Sequence, residues 1–303
     1  MKLFEGLAVL ALAPASFAQD PPAPPTPPAA EAKKEIVRLT EWPKLEGEVA
    51  STVKTDIERL RKAGTEAMAE QAHAALVAVG AGIVPSLLPV VGRERDPEAR
   101  ARVEAVLFKV TTAEHTRLIA AFFTDKSREV RTWALMRCAA FPDAELAAKA
   151  DEAFTKAKTL RDKDSKAEGA EAEVYAGALC ATASGSHAGL ELLSRYAIDQ
   201  WGKKGVEMRA ALQAVRDDES SAFASKLVGE EDRKKKVAGL NMLAGCGTKS
   251  ALGVVKPCLD STDNSIRIAA INAMRGIIDG DLPIANLPVF DAIELAKKWK
   301  ARA

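Results

Sequence analysis

Asp96-Pro97-Glu98-Ala99-Arg100 is the stretch that decides the fold, and Arg128-Glu129-Val130-Arg131 repeats its pattern one unit later. In each, a capping residue stands three places before an apolar anchor, and a basic residue follows the anchor. The anchors Ala99, Val130, Val174, Met208, Lys235 and Ile266 are separated by 31, 44, 34, 27 and 31 residues. Repetition at roughly this period, within the range of about 20–50 residues, signals stacked helical units. Each such unit buries its apolar face against its neighbours.

The pattern holds on both sides of the anchor. Three places before it stand Asp96, Ser127, Glu171, Gly205, Asp232 and Asp263. Asp96, Ser127, Asp232 and Asp263 are good helix N-caps, because their side-chain oxygens can accept from backbone N–H groups left free at a helix start. Pro97 suits the first helical position, where a missing N–H costs nothing. Four places after the anchor come Val103, Ala134, Ala178, Leu212, Gly239 and Ala270. All are small or apolar, and with the next turn they form the stripe of a helix with one buried face. Lys235 is the weak member, since its anchor position is charged.

A preceding helix is expected at residues 83–91, 115–123, 144–160, 187–197, 220–227 and 250–259, each followed by a polar stretch. Pro89 and Pro257 fall inside two of these and are expected to kink or end them. Residues 53–60 and 66–79 read as an opening pair. Residues 287–299 close the chain, with Lys297, Lys298, Lys300 and Arg302 suited to a water-facing terminal cap. The long spacing between Val130 and Val174 places its excess in residues 156–169, as a helix extension or an exposed loop.

These segments resemble the second-helix signature of HEAT repeats, most closely the short kind known from phycobilisome lyases. The resemblance runs over roughly residues 66–279. It implies an all-α, right-handed α-solenoid of six to seven stacked helical pairs over residues 45–303, capped by a C-terminal helix. It implies no activity. The His-Glu pairs of the di-iron HEAT hydroxylases are absent, and the family's lyase name alone suggests tetrapyrrole chemistry.

The N-terminal residues read as a secretory signal peptide over 1–18. Lys2 supplies a positive charge, residues 7–13 an apolar run, and Ser16-Phe17-Ala18 small residues where a signal peptidase reads, so cleavage is expected after Ala18. A periplasmic or secreted location follows. Residues 19–44 are expected to form a disordered, Pro-rich tether, with Pro21, Pro22, Pro24, Pro25, Pro27 and Pro28 favouring extended backbone. No run approaches the ~20 apolar residues that span a membrane.

Composition narrows the function classes. A net charge of +1 argues against a nucleic-acid binder, which would present a strongly basic domain. Four cysteines in an exported chain invite a disulfide reading, but Cys138 and Cys258 fall on helical stripes, so buried free thiols are expected. His73, His115 and His187 lie in separate units, and no metal site, cofactor site or catalytic residue is expected. Gly202, Gly205, Gly245 and Gly247 read as helix-end punctuation rather than a phosphate loop.

The residues after the anchors are Arg100, Arg131, Tyr175, Arg209, Lys236 and Arg267. Five of the six are cationic and recur at one position, forming a ladder. One reading is a basic track for acidic peptides or polyanionic glycans. The preferred reading is structural, each cation meeting an acid such as Asp96, Asp125, Asp232 or Asp263 of a neighbouring unit. Trp133 reads as core ahead of ligand platform. The expected function is a non-enzymatic scaffold of the cell envelope that binds a protein or peptide on its concave face. The alternatives are an enzyme, or its accessory subunit, acting on an envelope substrate, and a purely structural envelope component.

Overall fold

The computed structural model of the chain describes residues 36–302, and the expected signal peptide and residues 19–35 of the expected tether lie outside them. Among the described residues the chain is all-α, with short 3₁₀ turns and no strand. The helices are α1 (Gly47–Arg61), α2 (Glu66–Val79), α3 (Val84–Val91), α4 (Pro97–Val110), α5 (Thr116–Ile119), α6 (Arg128–Ala140) and α7 (Ala147–Lys163). They continue as α8 (Ala170–Ala183), α9 (Leu190–Leu212), α10 (Asp218–Gly229), α11 (Arg233–Cys246), α12 (Leu252–Val255), α13 (Asn264–Ile278) and α14 (Val289–Arg302).

The capping residues start the helices they were expected to start. The side chains of Asp96, Ser127, Asp232 and Asp263 accept from the backbone N–H groups of Glu98, Val130, Lys235 and Ser265. The six residues four places past the anchors are all buried. At Gly239 the contact is so close that a Cβ would lie 2.8 Å from the Ala224 carbonyl oxygen. Only a glycine lets α10 and α11 meet there.

Side-chain contacts fix how neighbours run. Glu104 and Phe108 of α4 face Glu129 and Trp133 of α6, so these helices are parallel. Arg128 and Cys138 of α6 face Glu173 and Cys180 of α8 in the same sense. Asp199 and Leu212 of α9 meet Lys234 and Gly245 of α11, and Arg233 and Ala244 of α11 meet Asp263 and Gly276 of α13. Sequence neighbours run the other way. Arg161 and Phe154 of α7 meet Glu171 and Gly177 of α8, an antiparallel register.

Two apolar clusters share α8. Val174, Tyr175, Ala178 and Leu179 belong to the cluster that runs on to Trp299, while Ala176, Cys180 and Ala181 belong to the one that begins at Val53. Every residue of α8 from Glu173 to Ala183 is buried. The expected single buried face is therefore wrong for this helix. Its alanines and Gly177 are small enough for neighbours to close on all sides.

Other expectations also shift. Residues 187–212 form a 3₁₀ turn and one continuous α9 rather than two helices with a polar break. Nothing between them stops a helix: there is no proline, and each glycine costs only ~1 kcal/mol against alanine. Gly202 and Gly205 are thus interior residues, and Gly205 is packed under the Trp201 indole, where a Cβ would lie 2.9 Å from the ring. Gly245 is likewise inside α11, and only Gly247 caps a helix. Glu171 lies in the first turn of α8, which is preceded by Gly169, whose φ of 75° is left-handed. α3 runs through Pro89, and Pro257 opens a 3₁₀ turn. In α14 Ala292, Ala296 and Trp299 are buried, whereas Val289 and Phe290 face outward.

Residues 36–44 were expected within a disordered tether and, together with Leu45, are instead held as a strap. Arg38 donates to the Ala113 and Pro142 carbonyls and lies 3.4 Å from Asp143. The Leu39 N–H donates to the Glu114 carbonyl at 2.9 Å. Trp42 stacks on His115 with ring centroids 5.4 Å apart, and Leu45 packs over Gly82. Arginine, tryptophan and leucine in this stretch supply anchoring groups that the prolines upstream lack.

Candidate functional site

The cationic ladder does not act as one unit. Arg131 is buried and donates to both carboxylate oxygens of Glu173, at 2.6 and 3.1 Å, and to the Asp125 carbonyl at 2.7 Å. Arg267 makes the corresponding backward bond, to the Ser261 carbonyl at 2.6 Å, and bonds Asn264. Both tie the start of their helix to the end of the preceding one. Tyr175 donates to Glu207 at 2.5 Å, and Lys204 sits 3.8 Å over its ring. Burial, then the Glu207 hydrogen bond, push the Tyr175 hydroxyl far above its ordinary value. Arg209 has a buried nitrogen with no partner, and burial pulls its pKa down. Lys236 stands near Cys258.

The acids named as partners do something else. Asp96, Asp125, Asp232 and Asp263 accept backbone N–H groups at their own helix starts. Of the four, only Asp263 also takes a cation from a neighbouring helix, and that cation is Arg233. N-cap geometry turns these carboxylates toward their own first turn, out of reach of the ladder.

Arg100 differs from the rest. Its guanidinium makes no hydrogen bond among the described residues and lines a cleft of about 940 Å³ between α4, α6 and the start of α8. Parallel packing builds this cleft from two facing columns. Arg100, Glu104 and Phe108 stand one helical turn apart on α4, and Glu129, Trp133 and Met136 follow on α6. The floor is apolar and aromatic. Phe108 is 41 % exposed, and its ring lies 6.5 Å from that of Trp133. Exposed Arg93 and Arg95 form a rim.

Two further polar groups lining the cleft lack hydrogen-bond partners among the described residues. Glu104 is half-buried and accepts no hydrogen bond among the described residues. Burial raises its carboxyl pKa, Arg100 opposes the rise, and the Glu129 carboxylate adds to it. Trp133 is 3 % exposed, and its indole N–H is buried without an acceptor. Buried polar groups without partners are uncommon and costly, at about 1–3 kcal/mol each. Glu129, by contrast, accepts from Ser127 at 2.6 Å, and Arg128 is committed to Glu173 at 3.2 Å and to the Glu168 carbonyl.

Several polar residues that matter here do not stand out in the sequence. Arg102 donates to the Leu60 and Arg61 carbonyls, Arg137 to those of Phe108 and Thr111, and Arg216 to those of Gly247, Gly276 and Ile277. Each satisfies carbonyls left free at helix C-terminal ends. They occupy different positions in their units, so periodicity gives no signal for them. Glu173 sits immediately before the anchor Val174 and was equally hidden.

Among the described residues, no three or more His, Cys, Asp or Glu side chains converge as a metal ion would require. His187 pairs with Asp217 at 2.8 Å, and His115 lies under the strap. No single helix among them is long and apolar enough to cross a membrane. Comparison with protein-family models, with curated proteins and with solved structures finds no match to this chain.

Proposed function

We propose that this chain is a HEAT-like, right-handed α-solenoid that binds a peptide segment of a protein partner in the α4–α6–α8 cleft, without catalysing a reaction. The parallel register of α4, α6 and α8, and of α9, α11 and α13, supports the solenoid reading. Such stacks present extended surfaces suited to peptides. The observation that carries the binding reading is the cleft itself. An apolar floor of Phe108, Trp133 and Met136 lies beside an unpartnered carboxylate and an unpartnered indole N–H. A peptide supplies apolar side chains for the first and donors and acceptors for the others. The sequence of residues 1–18 supports a periplasmic or secreted setting.

The test is a selection of displayed peptides on the full chain, followed by rebinding to Phe108→Ser. Phe108 is exposed, so the substitution leaves the fold intact. Selected peptides should bind the unaltered chain and lose the variant. Peptides that bind both equally would place the binding surface elsewhere.

A further inference from the structure

We propose that the anchor of this peptide is a single basic side chain, a guanidinium or an alkylammonium, held by Glu104 over the Phe108–Trp133 surface. The inference rests on the peptide-binding reading and names the chemistry that the cleft selects.

Three observations converge on Glu104. Its carboxylate has no hydrogen-bond donor among the described residues, although it is half-buried. It faces a second carboxylate, Glu129, across the α4–α6 seam, whose repulsion is smaller than the Arg100 attraction but acts with burial against the charged form. The cations near it do not satisfy it. Arg100 acts on it through space only, and Arg128 is bonded to Glu173. A donor-bearing cation entering the cleft relieves both the missing hydrogen bond and the repulsion. A neutral donor relieves only the first.

The aromatic floor favours the same guest. One turn further along each helix stand Phe108 and Trp133, whose ring faces attract cations. The Arg137 guanidinium already lies 5.4 Å from the Phe108 centroid, which shows the ring engaged in this way.

The rim limits the guest to one cation. Arg93 and Arg95 are exposed at the cleft mouth and form no side-chain ion pair among the described residues. A run of basic residues would be repelled there, whereas a neutral or acidic flank would not. The predicted recognition element is therefore one Arg or Lys among apolar neighbours with an acidic flank.

The experiment is an array of N-acetylated, C-amidated hexapeptide libraries. One position is fixed as Arg, Lys, Gln, Leu or Glu, and the others are randomised. The full chain, Glu104→Gln and Phe108→Ser are each applied, with melting curves confirming that the variants fold. Arg and Lys libraries should bind the unaltered chain at least about five-fold better than Gln, Leu or Glu libraries. Glu104→Gln should erase that preference while keeping the Phe108-dependent signal. Phe108-dependent binding with no basic preference, or a preference that survives Glu104→Gln, overturns the anchor and leaves the peptide site standing. Absence of any Phe108-dependent binding overturns both.

Discussion

Arg131 of α6 and Glu173 of α8 form a doubly hydrogen-bonded ion pair with side chains only 9 % and 4 % exposed, and Arg128 joins the same carboxylate. Removing Arg131 leaves the buried Glu173 with only the longer Arg128 contact, at 3.2 Å. Arg131→Gln should therefore cost about 3–5 kcal/mol, well above an ordinary surface pair. Arg267→Gln should cost about 1–2 kcal/mol, since it loses a bond to a carbonyl rather than a carboxylate. Urea unfolding of both variants measures the difference. Equal losses would contradict the division of the ladder drawn from their partners.

Ala270 is fully buried on α13, at the contact position shared with Ala134 and Ala178. Ala270→Leu should overpack the seam and cost about 1–3 kcal/mol. The same change at exposed Ala301 should be nearly silent. Thermal melts of the two variants give the comparison, and matching curves would mean that the helix register is misassigned.

His115 carries the strap and should make stability fall on mild acidification. Burial lowers its pKa, with Arg137 adding to the fall and the Glu114 carboxylate opposing it. Protonation thus favours the unfolded chain, where the imidazole has its ordinary value near 6.5. The stability is fully present above that value and is lost as pH falls below it. His115→Gln should flatten the dependence of the urea midpoint between about pH 7.5 and about pH 5.5. An unchanged slope would exclude His115 as its source.

The four cysteines should differ in reactivity. Cys138, Cys180 and Cys246 are buried, and Cys258 is half-buried. Burial, then the neighbouring Cys180 thiol, push Cys138 up, and burial pushes Cys246 up to about 12. A thiol reagent should label Cys258 first in the native chain and the other three only on unfolding. Rapid labelling of Cys138 in the folded chain would be inconsistent with this packing.

The helical class and the cap positions were legible because both are local. Asp96, Ser127, Asp232 and Asp263 each act within one turn of themselves, so their sequence neighbours suffice to identify them. The α9 helix was not legible as one element, since Gly202 and Gly205 read as helix ends although each costs only ~1 kcal/mol inside a helix. The ladder was legible as a pattern but not as a function. Arg131 and Arg100 occupy the same repeat position, yet one finds Glu173 and the other opens into a cleft. That difference is set by the residue a neighbouring unit supplies, and periodicity holds no information about it. Glu104 gave no signal at all, because an unpartnered carboxylate is defined by what is missing around it.

The strap sets an order on folding. Its bonds join Arg38 to Ala113 and Pro142, contacts separated by 75 and 104 residues along the chain. Most helix contacts instead join neighbouring units, which close short loops at small entropic cost. The strap's contacts carry a larger closure cost and are expected to form late. Trp42 covers His115 from a position 73 residues earlier in the sequence. The chain's earliest described residues thus act as a closing latch, reporting that the units between them and Asp143 have assembled.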